Sequence, residues 1–334
     1  MNYSIFKNKT ILITGGSGSF GRSFVKKIIK LKKFKKIIIF SRDELKQFEF
    51  SNELGNVENL RFLIGDVRDK DRLKFATKNV DYIVHAAALK QVPAAEYNPF
   101  ECIQTNILGA QNIIEAAIGN KVKRIIALST DKAALPINLY GASKLASDKL
   151  FTAANNIVGN EDIRFSVIRY GNVLSSRGSL VPFLKDLKNK DVKKFPLTHE
   201  KMTRFWITLD QATDLTLKFF HFMKGGEMII PKIPSIKITD LMQAISPGVK
   251  YNMIGLRPGE KIHELMCPAD SSYHTIEFKN FFVIAPTTTD NKNLNKFINY
   301  SGESGKKVVQ GFEYRSDTNK HFLVKDEIKN LLKK

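Results

Sequence analysis

The chain has 334 residues, of which 43% are hydrophobic and 26% are charged, so its composition is that of a globular rather than a disordered protein. Its two cysteines, Cys102 and Cys267, exclude a disulfide framework and a conventional zinc site. No apolar run approaches the roughly 20 residues of a membrane helix, and the segment MNYSIFKNKT lacks an apolar signal core. We therefore expect a soluble, cytoplasmic protein with no membrane partner and no metal.

The formal net charge of +20 raises the question of an anionic partner such as nucleic acid. The densest basic run, at residues 26–36, has helical spacing with apolar residues between its lysines, which a solvated helix face explains without any partner. Because no nucleic-acid-binding motif accompanies the charge, we expect no nucleic-acid partner. Part of the excess could instead steer an anionic small molecule.

The first half of the chain alternates short apolar strands with helical patterns. After the first two strands, an amphipathic helix is expected at Phe20–Leu31 and a polar helical stretch from Glu44. The predicted strands lie at residues 9–15, 35–42, 61–67, 82–87, 124–130 and 165–172. Near-continuous apolar strands predict a parallel sheet that is covered on both faces. The expected fold class is α/β, a Rossmann-type doubly wound parallel sheet with its ligand beyond the carboxyl ends of the strands.

After Asn172 the pattern is less regular, and prolines separate shorter elements. One helix is predicted at about residues 209–224, packing back onto the sheet. We expect residues 1–171, with that helix, to form a dinucleotide-binding domain. Residues 172–334 are expected to form mainly a smaller C-terminal substrate-binding region.

A glycine-rich turn, TGGSGSFG, follows the first strand and opens a helix. Gly15, Gly18 and Gly21 permit a tight turn and let a pyrophosphate approach the amides at the helix N-terminus. This context predicts a dinucleotide site rather than an ordinary turn.

The end of the second strand chooses between the two nicotinamide cofactors. Ser41 and Arg42 favour the 2′-phosphate of NADP, whereas Asp43 keeps NAD open, and we favour NADP. Asp66, which ends the third strand, could accept from an adenine amino group. Its alternative role is to cap a helix over residues 68–76.

Tyr140 and Lys144 form a Y-x-x-x-K pair, which places both side chains on one face of a helix. A neighbouring ammonium lowers the pKa of a tyrosine, which can then take the proton of a substrate alcohol as hydride leaves for the cofactor. Asp131 and Lys132, an adjacent acid and base at a strand end, could supply a second proton transfer. The alternative is that they form a solvated loop pair.

The motifs together resemble one family. They are TGGSGSFG, SRDELKQFEF, GDVRD, HAAALKQVPAAEYNP, TNILGAQN, LSTDKAALPINLYGASK, RYGNVLSSRGS, MTRFWITL and RPGEKIHEL. This combination is similar to the inverting UDP-N-acetylglucosamine 4,6-dehydratases, extended short-chain dehydrogenase/reductases that begin the biosynthesis of pseudaminic acid, a sugar used on flagellin. The resemblance covers about residues 9–285, and nothing after about residue 286 is diagnostic.

The resemblance implies a mechanism and a product. Tyr140, assisted by Lys144, would deprotonate the 4-hydroxyl while carbon 4 gives hydride to NADP. Lys132 would then remove the proton on carbon 5, and Asp131 would protonate the departing 6-hydroxyl. Hydride returns to carbon 6, and reprotonation of carbon 5 from the opposite face inverts it. The product would be UDP-2-acetamido-2,6-dideoxy-β-L-arabino-hex-4-ulose.

The resemblance also assigns binding residues. It places the cofactor against Ser17, Gly18, Ser19, Phe20, Gly21, Ser41, Arg42, Asp43, Glu44, Leu45, Lys46, Asp66, Val67, Ala86, Lys90, Leu128, Ser129, Tyr140 and Lys144. It places the UDP-sugar against Lys90, Asn172, Arg204, Arg257 and Glu260. The alternative for the arginine of RPGEK is a simple pair with Glu260. Asn106 resembles the structural asparagine of the family. The resemblance also implies a homo-oligomer, such as a hexamer.

Two other functions stay open. A retaining dehydratase or a 4-epimerase would use the same fold, but retaining dehydratases typically carry Asp-Glu where this chain has Asp131 and Lys132. An epimerase eliminates no hydroxyl and needs no such pair. A non-enzymatic NADP-binding regulator would have no use for both Tyr140 and Lys144.

Overall fold

The computed structural model describes residues 3–174, 178–287, 294–300 and 302–333; residues 175–177, part of the RYGNVLSSRGS motif, lie outside the described residues. The helices are α1 Ser19–Leu31, α2 Glu44–Leu54, α3 Lys70–Ala76, α4 Val92–Tyr97, α5 Pro99–Ile103, α6 Gly109–Gly119, α7 Leu139–Ala153, α8 Leu180–Asn189, α9 Leu209–Phe222, α10 Ile238–Ile245 and α11 Lys325–Lys333. A π-helical turn, Gln104–Leu108, joins α5 to α6. No helix within the described ranges has the length and apolar character needed to cross a membrane.

The strands begin with the predicted parallel series. They are β1 Thr10–Thr14, β2 Lys36–Ser41, β3 Leu60–Ile64, β4 Tyr82–His85, β5 Arg124–Thr130 and β6 Arg164–Tyr170. The later strands are β7 Asn172–Val173, β8 Lys194–Leu197, β9 Thr203–Ile207, β10 Met228–Pro231, β11 Ser235–Lys237, β12 Lys250–Met253, β13 Leu265–Cys267, β14 Thr275–Glu277, β15 Phe281–Ile284, β16 Asn299–Tyr300, β17 Glu303–Ser304, β18 Lys306–Lys307 and β19 Tyr314–Arg315.

Among the described residues the main sheet has the order β18-β14-β15-β10-β6-β5-β4-β1-β2-β3. The strands from β3 to β10 in this order are parallel, and β15, β14 and β18 extend the sheet in antiparallel fashion. Every residue of β1 is buried, because helices cover both faces. The strand order reverses between β1 and β4, which places a ligand crevice at the carboxyl ends of these strands. The predicted α/β doubly wound fold is confirmed.

The helix predicted at about residues 209–224 is α9. Thr208 and Gln211 form a capping box that fixes its first turn. Lys27 of α1 is 2.7 Å from Asp210 and 2.6 Å from Asp214, so α9 lies beside α1 against the sheet.

The residues after Asn172 divide between two hydrophobic cores. Strands β10, β14 and β15 contribute to the core of the main sheet, including Ile229 and Val283. A separate cluster is built from β8, α8, α10 and α11, with Leu184, Leu241 and Ile328 among its buried members. The C-terminal region therefore both extends the large sheet and forms a smaller packed unit.

Candidate active site

A cleft of about 1160 Å³ lies at the carboxyl ends of the parallel strands. Its walls include the glycine-rich turn after β1, the end of β2 and the segment after β4. The start of α7 and the RPGEK segment lie opposite. The cleft thus occupies the crevice expected where the strand order reverses.

The glycine-rich turn has room for backbone only. Gly15 has a φ of 64°, and a Cβ there would lie 2.9 Å from the Ala87 nitrogen. A Cβ on Gly21 would lie 2.5 Å from the Gly16 backbone. The N-cap of α1 is Gly18, which offers no side-chain cap, so the amides of the first helical turn face the cleft without a competing acceptor from that residue. This cradle fits the pyrophosphate of a dinucleotide.

The acidic residue after β2 has a structural task. Asp43 is the N-cap of α2, and its carboxylate accepts a hydrogen bond from the Lys46 backbone N–H at 2.9 Å. Ser41 Oγ accepts a hydrogen bond from Ser17 Oγ at 2.9 Å, which ties the end of β2 to the glycine-rich turn. Glu44 and Leu45 are exposed in the first turn of α2, while Asp43 and Lys46 line the cleft.

Arg42 and Asp66 face each other across the cofactor end of the cleft, with Arg42 Nη1 3.5 Å from Asp66 Oδ2. Burial raises the pKa of Asp66, but hydrogen bonds from Arg68 and the charge of Arg42 more than offset it and hold the pKa below its ordinary value. The helix-cap alternative for Asp66 is wrong. Helix α3 begins at Lys70, and its N-cap is Asp69.

Tyr140 and Lys144 both line the cleft from α7. Asn138 caps α7 by accepting from the Gly141 N–H at 2.8 Å. A Cβ at Gly141 would lie 2.2 Å from the Lys132 carbonyl oxygen, so a glycine is what lets the first turn of α7 pack on the Lys132 backbone. This close approach brings Tyr140 and Lys132 to the same wall.

The ionisation of the α7 pair is set by its surroundings. Burial raises the pKa of Tyr140 to about 12, with the charge of Lys132 and the Thr130 side chain acting in the opposite direction. Burial lowers the pKa of Lys144, opposed by Asp148. Lys132 is therefore the largest of the influences that favour the tyrosinate.

Asp131 and Lys132 are not a solvated loop pair, so that alternative is wrong. The Asp131 side chain is 0% exposed, and Lys132 Nζ lies 3.0 Å from its Oδ1. Thr130 Oγ1 donates to the same oxygen at 2.9 Å, whereas Asp131 Oδ2 is buried and has no hydrogen-bond partner among the described residues. An acid and a base are thus in contact at the cleft wall. Lys132 lines the cleft, and Asp131 lies behind it.

Glu264 also reaches this pair, although sequence reasoning did not single it out. Its side chain is 3% exposed, and Oε1 lies 3.4 Å from Lys132 Nζ. Burial lowers the pKa of Lys132, but the charges of Asp131 and Glu264 more than offset it and raise the pKa above its ordinary value. One signal was present: Glu264 directly precedes the apolar strand Leu265–Cys267, where a charge is expensive unless it is paired.

The part of the cleft near the RPGEK segment holds the remaining polar residues. Asn172 Oδ1 is buried without a hydrogen-bond partner among the described residues, so an acceptor is available in the wall. Arg204 is buried and donates to the carbonyls of Lys261 and Ile262 at 2.9 and 3.0 Å. Glu260 accepts from the Arg257 backbone N–H at 3.3 Å and lies 3.8 Å from Arg204 Nη2.

The other predicted residues are distributed along the same cleft. Ser129 lines it, but its hydroxyl donates to Asp148 at 2.7 Å, and Asp148 pairs in turn with Arg169 at 3.0 Å. The buried Asn106 side chain contacts the Leu89 backbone and Ser143 of α7, in keeping with a structural role. The remaining predicted residues that line the cleft are Ser19, Phe20, Val67, Ala86, Lys90 and Leu128.

Sequence comparison places this site among known proteins. Residues 11–286 match the family described as polysaccharide biosynthesis protein. A UDP-N-acetylglucosamine 4,6-dehydratase (inverting) of Campylobacter jejuni is 55% identical over 94% of this chain and 94% of its own. A UDP-glucose 4-epimerase of Rickettsia bellii is 40% identical over 98% of this chain and 96% of its own.

Solved structures share the fold. Pen from Bacillus thuringiensis has a TM-score of 0.88 and 38% identity, and covers 98% of each chain. A dTDP-glucose 4,6-dehydratase, DesIV from Streptomyces venezuelae, has NAD and TYD bound. It has a TM-score of 0.68 and 21% identity, covers 76% of this chain and 86% of its own, and shows the fold alone.

These findings agree with the motifs. The resemblance to the inverting UDP-N-acetylglucosamine 4,6-dehydratases is confirmed by relatives at 55% and 54% identity over nearly the whole chain. The family match includes the glycine-rich turn, the Asp131 and Lys132 pair, and the α7 helix. The chain belongs to the polysaccharide biosynthesis protein family.

Proposed function

We propose that this chain is an NADP-dependent UDP-N-acetylglucosamine 4,6-dehydratase that inverts carbon 5. The observation that carries the proposal is the buried contact between Asp131 and Lys132, placed beside Tyr140 in the wall of a dinucleotide cleft. The identity to the inverting dehydratases supports the same reaction. An epimerase would not need an acid and a base poised for elimination.

NADP, when bound, would accept hydride from carbon 4 and return it to carbon 6. The Gly15–Gly21 turn would hold its pyrophosphate, and Arg42 would meet its 2′-phosphate. Asp43 supports NADP over NAD, because its carboxylate is already engaged as the cap of α2. Residues up to 171 would thus mainly hold the cofactor, and later residues mainly the substrate.

Tyr140 would take the proton of the 4-hydroxyl. The charge of Lys132 favours its ionised form, and Lys144 lies one helical turn further along the same face of α7. With carbon 4 a ketone, the proton on carbon 5 becomes acidic enough for a base to remove.

The elimination needs a neutral amine and a carboxylic acid. Transfer of one proton from Lys132 Nζ to Asp131 Oδ1, across 3.0 Å, produces both. The Lys132 amine then takes the carbon 5 proton, and the Asp131 carboxylic acid protonates the departing 6-hydroxyl, which leaves as water. Return of hydride to carbon 6 and reprotonation of carbon 5 from the opposite face complete the inversion.

At the other end, Arg204 and Arg257 would bind the UDP diphosphate, with Asn172 and Glu260 as further polar contacts and Lys90 reaching either ligand. We propose that the enzyme is cytoplasmic and forms a homo-oligomer such as a hexamer. We also propose that it begins pseudaminic acid biosynthesis for flagellin glycosylation. Exposed aromatic side chains on α4 and α5, Tyr97 and Phe100, support a subunit contact.

The test is incubation of the purified protein with UDP-N-acetylglucosamine in deuterated water, followed by NMR of the sugar. We expect a 4-keto-6-deoxy product with deuterium at carbon 5 and L-arabino configuration. Retention of the D configuration at carbon 5 would overturn the inverting assignment. Conversion to UDP-N-acetylgalactosamine without elimination would show an epimerase.

A further inference from the structure

Glu264 is a buried carboxylate that connects the predicted base to the predicted diphosphate-binding arginine. Its Oε1 lies 3.4 Å from Lys132 Nζ and 3.6 Å from Arg204 Nε. Its Oε2 is buried and has no hydrogen-bond partner among the described residues. A buried carboxylate is costly unless its charge is compensated, so these two cations account for its presence.

The position of Glu264 is fixed from two directions. The segment that leads to it is clamped onto the loop after Lys132, because Lys261 Nζ donates to the Ala134 carbonyl at 2.6 Å and Asn138 Nδ2 donates to the Gly259 carbonyl at 2.8 Å. The Glu264 N–H donates to Ser316 Oγ at 2.8 Å. The carboxylate is therefore held at Lys132 by the surrounding backbone.

Several charged or titratable groups surround Lys132. Asp131 and Glu264 favour its ammonium form, whereas burial and the charge of Arg204 oppose it. Lys261 lies within the same electrostatic environment, and Tyr140 is affected by the charge of Lys132. Of the two carboxylates, Asp131 has the larger effect and Glu264 the next largest, so Glu264 adds to the preference of Lys132 for the ammonium form.

We propose that Glu264 is a positioning residue for the dehydration: its carboxylate holds the Lys132 amine at the cleft wall and sets the pH range in which that amine can act as a base. This inference rests on the proposed dehydratase function. Asp131 alone can exchange a proton with Lys132, but Glu264 determines how much of the resting enzyme keeps that proton on nitrogen.

The direction of the expected effect follows from the charge. With Glu264→Gln, the ammonium of Lys132 loses one of the two carboxylates that stabilise it, so its pKa falls. Asp131 and Lys132 share one proton in both the resting and the reacting form, so kcat should fall on the alkaline side, where that proton is lost to solvent. This alkaline fall should move to lower pH in the variant, by about 1 to 3 pH units for a charge at this distance. A purely structural loss would lower kcat by the same factor at every pH.

The experiment is the pH profile of kcat for wild type, Glu264→Gln and Glu264→Asp, with product measured by NMR and NADP binding measured for each protein. Glu264→Asp keeps the charge but withdraws it by one methylene, so the midpoint of its alkaline fall should lie between the other two. Glu260→Gln is the matched control, since it removes a carboxylate that faces Arg204 without contacting Lys132. This control should raise KM and leave the midpoint of the alkaline fall in place.

Each outcome of this experiment either supports or overturns the inference. A Glu264→Gln profile whose alkaline fall lies at the wild-type pH overturns the inference and leaves the proposed function intact. If Glu264→Gln does not fold, a Glu264→Asp profile whose alkaline fall lies at the wild-type pH overturns it instead. A shift of equal size in Glu260→Gln would also contradict it. Absence of 4-keto product from the wild-type enzyme would overturn the proposed function, and this inference with it.

Discussion

The two ends of the cleft are built in different ways. The end proposed for the cofactor is formed by backbone. It is one short turn, Gly15–Gly21, with no space for a Cβ at its first and last glycines. The end proposed for the chemistry is formed by side chains, in which the adjacent pair Asp131 and Lys132 meets Glu264 from a distant segment of the chain. A change at one end should therefore affect binding, and a change at the other should affect chemistry.

Loss of the base gives the largest expected effect. Lys132→Ala should reduce kcat about 10² to 10⁴-fold, the usual contribution of a general base, while NADP binding persists. Steady-state kinetics and a fluorescence titration with NADPH measure the two quantities. Lys149→Ala, which removes an exposed lysine of α7, is the control. Full activity of Lys132→Ala would show that another group takes the carbon 5 proton.

Gly141→Ala tests the packing behind that base. Its Cβ would lie 2.2 Å from the Lys132 carbonyl oxygen, so the backbone at Lys132 must shift. A displacement of about 1 Å can cost about 10²-fold in rate, and we expect a loss of that order in kcat. NADP affinity should change little. Gly119→Ala on α6 is the control, because a Cβ there meets nothing within 4 Å.

Gly21→Ala is the corresponding change at the cofactor end. Its Cβ would lie 2.5 Å from the Gly16 backbone and would open the turn proposed to hold the pyrophosphate. Loss of one or two charge-assisted hydrogen bonds should raise the Kd for NADP about 10 to 100-fold, as measured by calorimetry. At saturating NADP, kcat should recover. A kcat that stays low under saturation would mean that the two ends are not separable.

Arg42→Ala should give the smallest effect. Removal of its charge should weaken NADP about tenfold while NAD affinity is unchanged, because only NADP carries the 2′-phosphate. The ratio of the two dissociation constants is the measurement. Arg61→Ala, which removes an arginine bonded to nearby backbone carbonyls, is the control. An equal loss for both cofactors would contradict the role of Arg42 in choosing NADP.

The same contrast explains what the sequence could predict. The strands β1 to β6 and the helix α9 were predicted, because each is a local apolar pattern of sufficient length. The antiparallel extension by β14, β15 and β18 was not, since two- to four-residue strands carry no periodicity of their own. Glu264 was missed for a related reason. Its role depends on its contact with Lys132, and no local sequence pattern connects the two residues.

For Asp66, the sequence left open a helix-cap role that the structure gives to another residue. Asp66 lines the cleft, but the cap of α3 is Asp69, three residues later. Both acids stand before the same helix, but Asp69 accepts a hydrogen bond from the Arg72 N–H, whereas Asp66 accepts from the Arg68 N–H. Helix boundaries are the least certain feature of a sequence prediction, because several nearby residues can serve as the cap.

The clamp between the loop after Lys132 and the RPGEK segment has a consequence for how the protein is made. The Asn138 contact with Gly259 spans 121 residues, and Glu264 needs Ser316, a further 52 residues on. The turn at Gly15–Gly21 is a local segment between β1 and α1, whereas the wall at Lys132 is complete only once residues up to Ser316 have been synthesised. The residues proposed for the elimination are therefore among the last parts of the cleft to be assembled.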